Sequence, residues 1–122
     1  LGPRGCVSPL HYDPLDNCLC QYVGRKQVLL FDPSSSSSTS TSSSSTTTAI
    51  PWHYAGHDGQ QSNTSPVNVE KIDHNQYPLF CEVGPTPFQC VLYPGDLLYI
   101  PSKWWHFVRS IDTSATANIW WR

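Results

Sequence analysis

A histidine and an aspartate, two residue types that commonly bind metal ions, lie two positions apart near the start of the sequence. In an extended segment residues i and i+2 point to the same side, so His11 and Asp13 can converge on one point. His106 is the best third partner, because it lies in an aromatic, strand-like segment where an inward-pointing imidazole needs a polar partner. Two histidines and one carboxylate leave coordination positions open, as in non-haem Fe(II) oxygenases. The triplet His-x-Asp also occurs as ordinary surface residues, so the triplet alone leaves that role open.

Short strands separated by turn residues are predicted to position these candidates. Gly24 and Arg25 separate two strand-like runs, a pattern typical of a hairpin with a two-residue turn. Later runs follow at regular intervals, with a turn at residues 93–96. The predicted strands cover residues 18–23, 26–31, 88–92, 97–100, 106–110 and 116–121. This pattern indicates an all-β antiparallel sandwich or barrel.

A low-complexity tract interrupts the strands, because residues 34–48 are all Ser or Thr. Such a tract cannot bury enough apolar surface to offset its ordering entropy, so we predict a disordered insertion within one domain over residues 1–122. No apolar run approaches the roughly 20 residues that cross a bilayer, and no membrane partner is expected. The sequence has no Met and no signal peptide, so we expect an internal or C-terminal piece of a longer protein.

Charge and cysteine content restrict the partners. Seven Lys and Arg against nine Asp and Glu give a net charge of −2, and the basic residues form no stripe that would follow a phosphate backbone. Direct binding of nucleic acid is therefore not expected. The five cysteines include no CxxC pair, which argues against a disulfide framework and a zinc knuckle. We expect an intracellular protein, in the nucleus, the cytoplasm or both.

Several motifs occur in the order and spacing of a known family. They are Pro-Leu-His-Tyr-Asp-Pro at 9–14, Asn17, Gly-Arg-Lys at 24–26, Pro-Gly-Asp-Leu-Leu-Tyr-Ile-Pro at 94–101 and Trp-Trp-His at 104–106. With these motifs the sequence resembles the JmjC family of Fe(II)- and 2-oxoglutarate-dependent oxygenases. Residues 63–70 and 118–121 look like the arginyl-hydroxylase branch, which is also described as a lysine-specific demethylase type. The resemblance implies a double-stranded β-helix, a cupin-like jelly roll, here N-terminally incomplete.

The resemblance also implies a role for each candidate residue. His11, Asp13 and His106 would be the catalytic iron ligands, and Lys26 would pair with the distal carboxylate of 2-oxoglutarate, which would otherwise be costly to bury. Taken alone, Lys26 is also consistent with a solvated strand lysine after a turn. The other positions that would bind the cosubstrate are Ser8, Asn17, Asn118 and Trp120. Family members commonly contribute a further Tyr from strands upstream of the His-x-Asp motif, so the resemblance implies a site that is incomplete in this sequence.

The implied function is oxidation of a protein side chain with Fe(II), 2-oxoglutarate and dioxygen. Hydroxylation of an arginyl residue is the favoured outcome, in a protein or peptide such as a histone tail or another nuclear protein. Demethylation of histone N-methyl-lysine is the alternative within the family. A catalytically inactive cupin-like binding module is the alternative from another class, and the presence of all three ligands and Lys26 argues against it.

The remaining polar and aromatic candidates are assigned no chemistry. Tyr12 is predicted to point away from the ligands and to pack, and Asp96 to stabilise its turn through its side chain. Trp104 and Trp105 are predicted to lie in the core and at its rim. Surface positions are predicted for the histidines without a partner at ligand spacing, His53, His57 and His74.

Overall fold

Seven β strands form the regular structure of the computed structural model, which describes residues 1–33, 63–77, 80 and 86–122. The strands are β1 (Val7–Tyr12), β2 (Asp16–Val23), β3 (Lys26–Phe31), β4 (Phe88–Leu92), β5 (Leu97–Ile100), β6 (Trp105–Ser110) and β7 (Ala115–Trp121). β3, β4 and β5 have the predicted bounds, and β2, β6 and β7 begin one or two residues earlier than predicted. Apolar and aromatic runs therefore form the strands, and Pro and Gly separate them.

The strands form two antiparallel sheets. Four strands lie in the order β1-β6-β3-β4, and three lie in the order β5-β2-β7. Alternate residues of strands from both sheets meet in one buried cluster, as the two-residue period of a strand requires. This inner cluster consists of Leu19, Val28, Leu30, Leu92, Ile100 and Val108. The predicted all-β, double-sheet fold is confirmed.

A second cluster covers the opposite face of the four-stranded sheet. This outer cluster consists of Leu10, Phe31, Val67, Phe80, Trp105 and Phe107. Val67 belongs to the stretch that begins at residue 63, and backbone hydrogen bonds hold the start of this stretch to the edge of β1. The Tyr12 N–H donates to the Asn63 carbonyl at 3.0 Å, and the Ser65 N–H donates to the Leu10 carbonyl at 2.8 Å. The chain after residue 62 therefore supports β1 from outside the sandwich.

The predicted hairpin around Gly24 and Arg25 is wrong. β2 and β3 lie in different sheets, so the chain crosses from one sheet to the other at these residues. Gly24 has a φ of +69°, and a Cβ there would lie 2.2 Å from the Thr113 carbonyl oxygen. Arg25 donates from Nε to Asp112 Oδ2 at 2.7 Å. These contacts with the loop before β7 hold the crossing in place. β2 and β3 then pack their inner faces against each other instead of pairing edge to edge.

The chain also crosses between the sheets at the predicted turn over residues 93–96. The Tyr93 N–H donates to Asp96 Oδ2 at 2.8 Å, and Gly95 has a φ of +96°. The role predicted for Asp96 is confirmed. The turn joins β4 to β5, which again belong to different sheets.

Other predictions concern the chain as a whole. The Ser/Thr insertion at 34–48 lies outside the described residues. A single domain over residues 1–122 stays a prediction. Within the described ranges, no helix has the length and apolar character needed to span a bilayer.

Candidate metal centre

The pairing of β1 with β6 brings His11 and His106 together. They are direct partners in the antiparallel register, so their side chains start from neighbouring positions on one face. The centroids of the two imidazole rings lie 4.2 Å apart, with the ring planes at 55°. His106 is buried and His11 is half-buried. Residues far apart in the sequence thus form one pair of possible metal ligands.

An irregularity in β1 adds Ser8 to the same face. Ser8 pairs with Val108 and His11 pairs with His106, so β1 has one more residue than β6 between these two pairs. This is the pattern of a β-bulge. In a regular strand, residues three apart point to opposite faces, whereas here Ser8 and His11 both line one cavity.

Asp13 follows the last residue of β1 and completes the group. One ligand atom from each of His11, Asp13 and His106 lies within 4.8 Å of the other two. Asp13 Oδ2 lies 3.6 Å from His106 Nε2 and accepts a hydrogen bond from the indole N–H of Trp120 at 3.3 Å. The Lys103 N–H donates to the Asp13 carbonyl at 2.8 Å. Both the side chain and the backbone of Asp13 are therefore held in place.

Backbone carbonyl groups orient both imidazole rings. The Nδ1–H of His11 donates to Pro9 at 2.7 Å, and the Nδ1–H of His106 donates to Trp104 at 3.0 Å. A carbonyl oxygen only accepts, so a proton lies on each Nδ1, and in the neutral form of either ring Nε2 keeps its lone pair. Burial lowers the pKa of His106, against the opposing effect of its hydrogen bond to Trp104. Neutral imidazoles held through Nδ1 are suited to bind a divalent metal through Nε2.

A cavity adjoins the two histidines on the inner side of the sheets. It is lined by Ser8, His11, Leu19, Lys26, His106, Val108, Thr116 and Asn118. Within the described part of the chain, no Asp or Glu side chain lies within ion-pair distance of Lys26. The half-buried Lys26 side chain is partly removed from water, and this burial lowers the pKa of its ammonium group. An unpaired, half-buried cation beside two imidazoles favours an anionic ligand.

Asn17 adds a buried polar group without a partner. Only 1% of its surface is exposed, and neither its Nδ2 nor its Oδ1 has a hydrogen-bond partner among the residues described. Asn17 lies two residues before Leu19 in β2, so it shares the face that lines the cavity. A buried amide with no partner costs about 1–3 kcal/mol. A polar ligand that bonds to this amide would offset that cost.

Most of the predicted site residues come together here. Ser8, Lys26 and Asn118 line the cavity with both histidines, and Trp120 contacts Asp13 from β7. The sequence prediction misses Thr116, which lines the same cavity and donates from its hydroxyl to Gln21 Oε1 at 2.7 Å. Thr116 lies two residues before Asn118 in a predicted strand. Strand alternation starting from Asn118 would therefore have found it.

The packing roles predicted for other residues are confirmed where the structure describes them. Tyr12 packs edge-on against Trp105, with ring centroids 4.9 Å apart, and Trp105 is buried. Trp104 packs against the inner cluster from its rim. His74 is exposed, whereas His53 and His57 lie outside the described residues.

Comparison with known proteins assigns the family. A family model described as a cupin-like domain matches residues 1–122. The chain belongs to the cupin-like domain family. Two curated relatives of this cupin-like domain are Jumonji C domain-containing protein 5 of Drosophila melanogaster, 39% identical over 122 residues, and lysine-specific demethylase 8 of Xenopus tropicalis, 38% identical over 120 residues. The alignments cover 99% and 98% of this chain but only 26% and 24% of those proteins, so the chain spans about a quarter of their length.

A solved structure has a similar arrangement of strands. It is YcfD, a ribosomal oxygenase from Escherichia coli in complex with cobalt and succinic acid. The alignment has a TM-score of 0.53 at 15% identity and covers 98% of the cupin-like domain and 21% of the YcfD chain. At this identity the likeness supports the fold alone. The family model, the fold and the names of the relatives confirm the predicted jelly roll and the resemblance to JmjC proteins.

Proposed function

We propose that this cupin-like domain is the iron-binding part of an Fe(II)- and 2-oxoglutarate-dependent oxygenase that acts on a protein side chain. The convergence of His11, Asp13 and His106, with ligand atoms within 4.8 Å of one another, carries the proposal. Two imidazole nitrogens and one carboxylate oxygen on one side of a metal ion are the ligand set of non-haem Fe(II) oxygenases. The name of one relative, lysine-specific demethylase 8, supports the same class of reaction.

The bound iron and cosubstrate would supply the oxidation: 2-oxoglutarate and dioxygen become succinate and carbon dioxide, with one oxygen atom entering succinate and the other a substrate C–H bond. The residues of the chain would do the positioning. The carbonyl groups of Pro9 and Trp104 hold the two rings with Nε2 free, and the Trp120 indole holds the Asp13 carboxylate. These contacts would hold the three side chains ready to bind the iron, which would supply the site for cosubstrate and dioxygen.

The cavity next to the ligands would hold 2-oxoglutarate. Its distal carboxylate would pair with the Lys26 ammonium, which no described acidic side chain neutralises. Ser8 and Asn118 offer a hydroxyl and an amide on the cavity wall. Asn17, whose amide has no partner among the described residues, would bond to the same ligand.

The substrate of the proposed enzyme is a protein side chain, with an arginyl residue as the favoured target of hydroxylation. The name of one relative, lysine-specific demethylase 8, favours N-methyl-lysine as the second candidate, because hydroxylation of an N-methyl group releases formaldehyde. A histone tail or another nuclear protein would suit either reaction. The described cysteines, Cys6, Cys18, Cys20 and Cys90, are all free, which supports a reducing compartment in the nucleus or cytoplasm.

The metal assignment is tested with Asp13→Ala in the full-length protein. The variant is expected to lose Fe(II)-dependent succinate release from 2-oxoglutarate, because two imidazoles alone do not complete the ligand set. Asp96→Ala is the matched control, since the Asp96 carboxylate also accepts one N–H hydrogen bond, from the Tyr93 backbone, but lies in the turn between β4 and β5. Succinate release by Asp13→Ala at the wild-type rate would show that the three residues are not the metal site.

The substrate is tested by mass spectrometry of arginyl and N-methyl-lysyl peptides after incubation with Fe(II), 2-oxoglutarate and the full-length protein. A gain of one oxygen on arginine supports the hydroxylase, and loss of a methyl group with release of formaldehyde supports the demethylase. If the wild type binds no metal and releases no succinate, the chain is instead a cupin-like binding module.

A further inference from the structure

The loop before β6 is tied to the turn that contains Asp13. The Tyr99 hydroxyl donates to Asp16 Oδ1 at 2.8 Å, and the Ser102 N–H donates to the same oxygen at 3.0 Å. The Ser102 hydroxyl donates to the Pro14 carbonyl at 2.9 Å. With the bond from the Lys103 N–H to the Asp13 carbonyl, four hydrogen bonds connect residues 13–16 to residues 99–103.

These two segments adjoin two of the three candidate metal ligands, Asp13 and His106. Asp13 lies beyond the end of β1, where the chain leaves the four-stranded sheet for β2 in the other sheet, so the strand ladder does not hold it. His106 follows the 99–103 segment by three residues. The hydrogen bonds of Asp16 and its neighbours therefore connect the turn that carries the carboxylate ligand to the segment before the second histidine ligand, in addition to the β1–β6 ladder.

The 99–103 segment needs such support because its backbone is strained. Lys103 has a φ of +66°, in the left-handed region where a residue with a Cβ costs roughly 1–2 kcal/mol. Such a conformation persists only when neighbouring contacts hold it. Asp16 receives two of the four hydrogen bonds on one oxygen atom, so its carboxylate is the centre of this support.

We infer that Asp16 is a positioning residue, which sets the distance between the metal ligands Asp13 and His106 by holding the 99–103 loop against the turn after β1. The inference rests on the proposed metal-binding function. Asp16 itself does not contact the metal site. Its charge adds to the strength of both hydrogen bonds, because a carboxylate is a better acceptor than a neutral oxygen.

Metal affinity and ligand geometry test this role without turnover. In the full-length protein, Asp16→Ala is expected to weaken Co(II) binding about tenfold, the lower end of the effect of residues that orient metal ligands. The visible absorption band of bound Co(II) is expected to change, because the ligand geometry relaxes. Asp16→Asn keeps an acceptor oxygen in the same place and is expected to restore most of the affinity.

Two further variants separate positioning from general stability. Tyr99→Phe removes one of the two hydrogen bonds but keeps the ring that stacks on Trp121, so it is expected to fold and to show a smaller loss in the same direction. Asp96→Ala loses a comparable bond in a different turn and is expected to bind Co(II) as the wild type does. The inference is overturned if Asp16→Ala and Tyr99→Phe keep wild-type affinity and spectrum, or if Asp96→Ala loses as much affinity.

The proposed function fails in a different way. If the wild type binds no Co(II), or if His11→Ala binds it equally well, the metal site itself is wrong, and the role of Asp16 is wrong with it. If the wild type binds Co(II) through His11 but the Asp16→Ala and Tyr99→Phe variants bind it as the wild type does, the metal site stands and the inference alone is wrong.

Discussion

Replacing Lys26 with Met tests two effects of its buried charge, on protein stability and on the binding of 2-oxoglutarate. Lys26 lines the cavity beside His11 and His106, and no described carboxylate pairs with its ammonium. Met keeps the length and apolar character of the side chain while removing the charge. The variant is therefore expected to lose affinity for 2-oxoglutarate without losing the fold.

The expected loss of 2-oxoglutarate affinity follows from the proposed ion pair between Lys26 and the distal carboxylate. A hydrogen bond to a charged group contributes about 1.5–3 kcal/mol. At 1.4 kcal/mol for each factor of ten, the dissociation constant of 2-oxoglutarate should rise about tenfold to a hundredfold. Metal affinity should change little, because Lys26 is not one of the three grouped ligand residues.

The Lys26→Met substitution should leave the stability of the ligand-free protein unchanged or raise it. Burial lowers the pKa of Lys26, so the charged form is favoured less in the folded than in the unfolded chain. This penalty is fully present below the pKa of the folded state and disappears as the pH rises through the ordinary pKa of lysine. At neutral pH, the Met variant is therefore expected to unfold at the same temperature as the wild type or a higher one.

Calorimetric titration of the Co(II)-loaded protein with 2-oxoglutarate, together with thermal unfolding of the metal-free protein, measures both effects. Lys71→Met is the matched control, because Lys71 is exposed in the stretch after residue 62 and does not line the cavity. A Lys26→Met variant that binds 2-oxoglutarate as tightly as the wild type, or loses affinity only to the extent of Lys71→Met, would refute the assignment of Lys26.

Two other substitutions test the cavity and the fold. Asn17→Leu should raise the free energy of unfolding of the ligand-free protein in urea by about 1–3 kcal/mol, because it removes a buried amide without a partner; a destabilised variant would mean that the amide is satisfied in the free protein. Gly24→Ala should lower the free energy of unfolding by more than the roughly 1–2 kcal/mol of a left-handed residue, since its Cβ would meet the Thr113 carbonyl at 2.2 Å. Gly95→Ala is its control, because Gly95 also has a positive φ but no heavy atom within 4 Å of the added Cβ, and equal losses would contradict the contact.

The strands could be predicted from the sequence, but their partners could not. Runs of apolar and aromatic residues mark β3, β4 and β5 with the bounds that the structure shows. The turn at Gly24 and Arg25 has the local pattern of a hairpin, yet β2 and β3 join opposite sheets. The two strands meet through their apolar faces, since Leu19 of β2 and Val28 of β3 belong to the same inner cluster. A turn signal carries no information about such a contact.

The site could also be predicted only in part. Its residues could be named from motifs, but their geometry depends on the bulge in β1. Without the extra residue, Ser8 and His11 would point to opposite faces; with it, both line the cavity while Leu10 between them still fills the outer cluster. Pro9 suits this interruption because it has no N–H to lose from the strand ladder. Its carbonyl accepts the Nδ1–H of His11 and so leaves Nε2 as the ring nitrogen available to a metal. The residue that fits the break in the strand is thus also the one that orients the ligand, which explains why a regular alternation of residues could not have described this site.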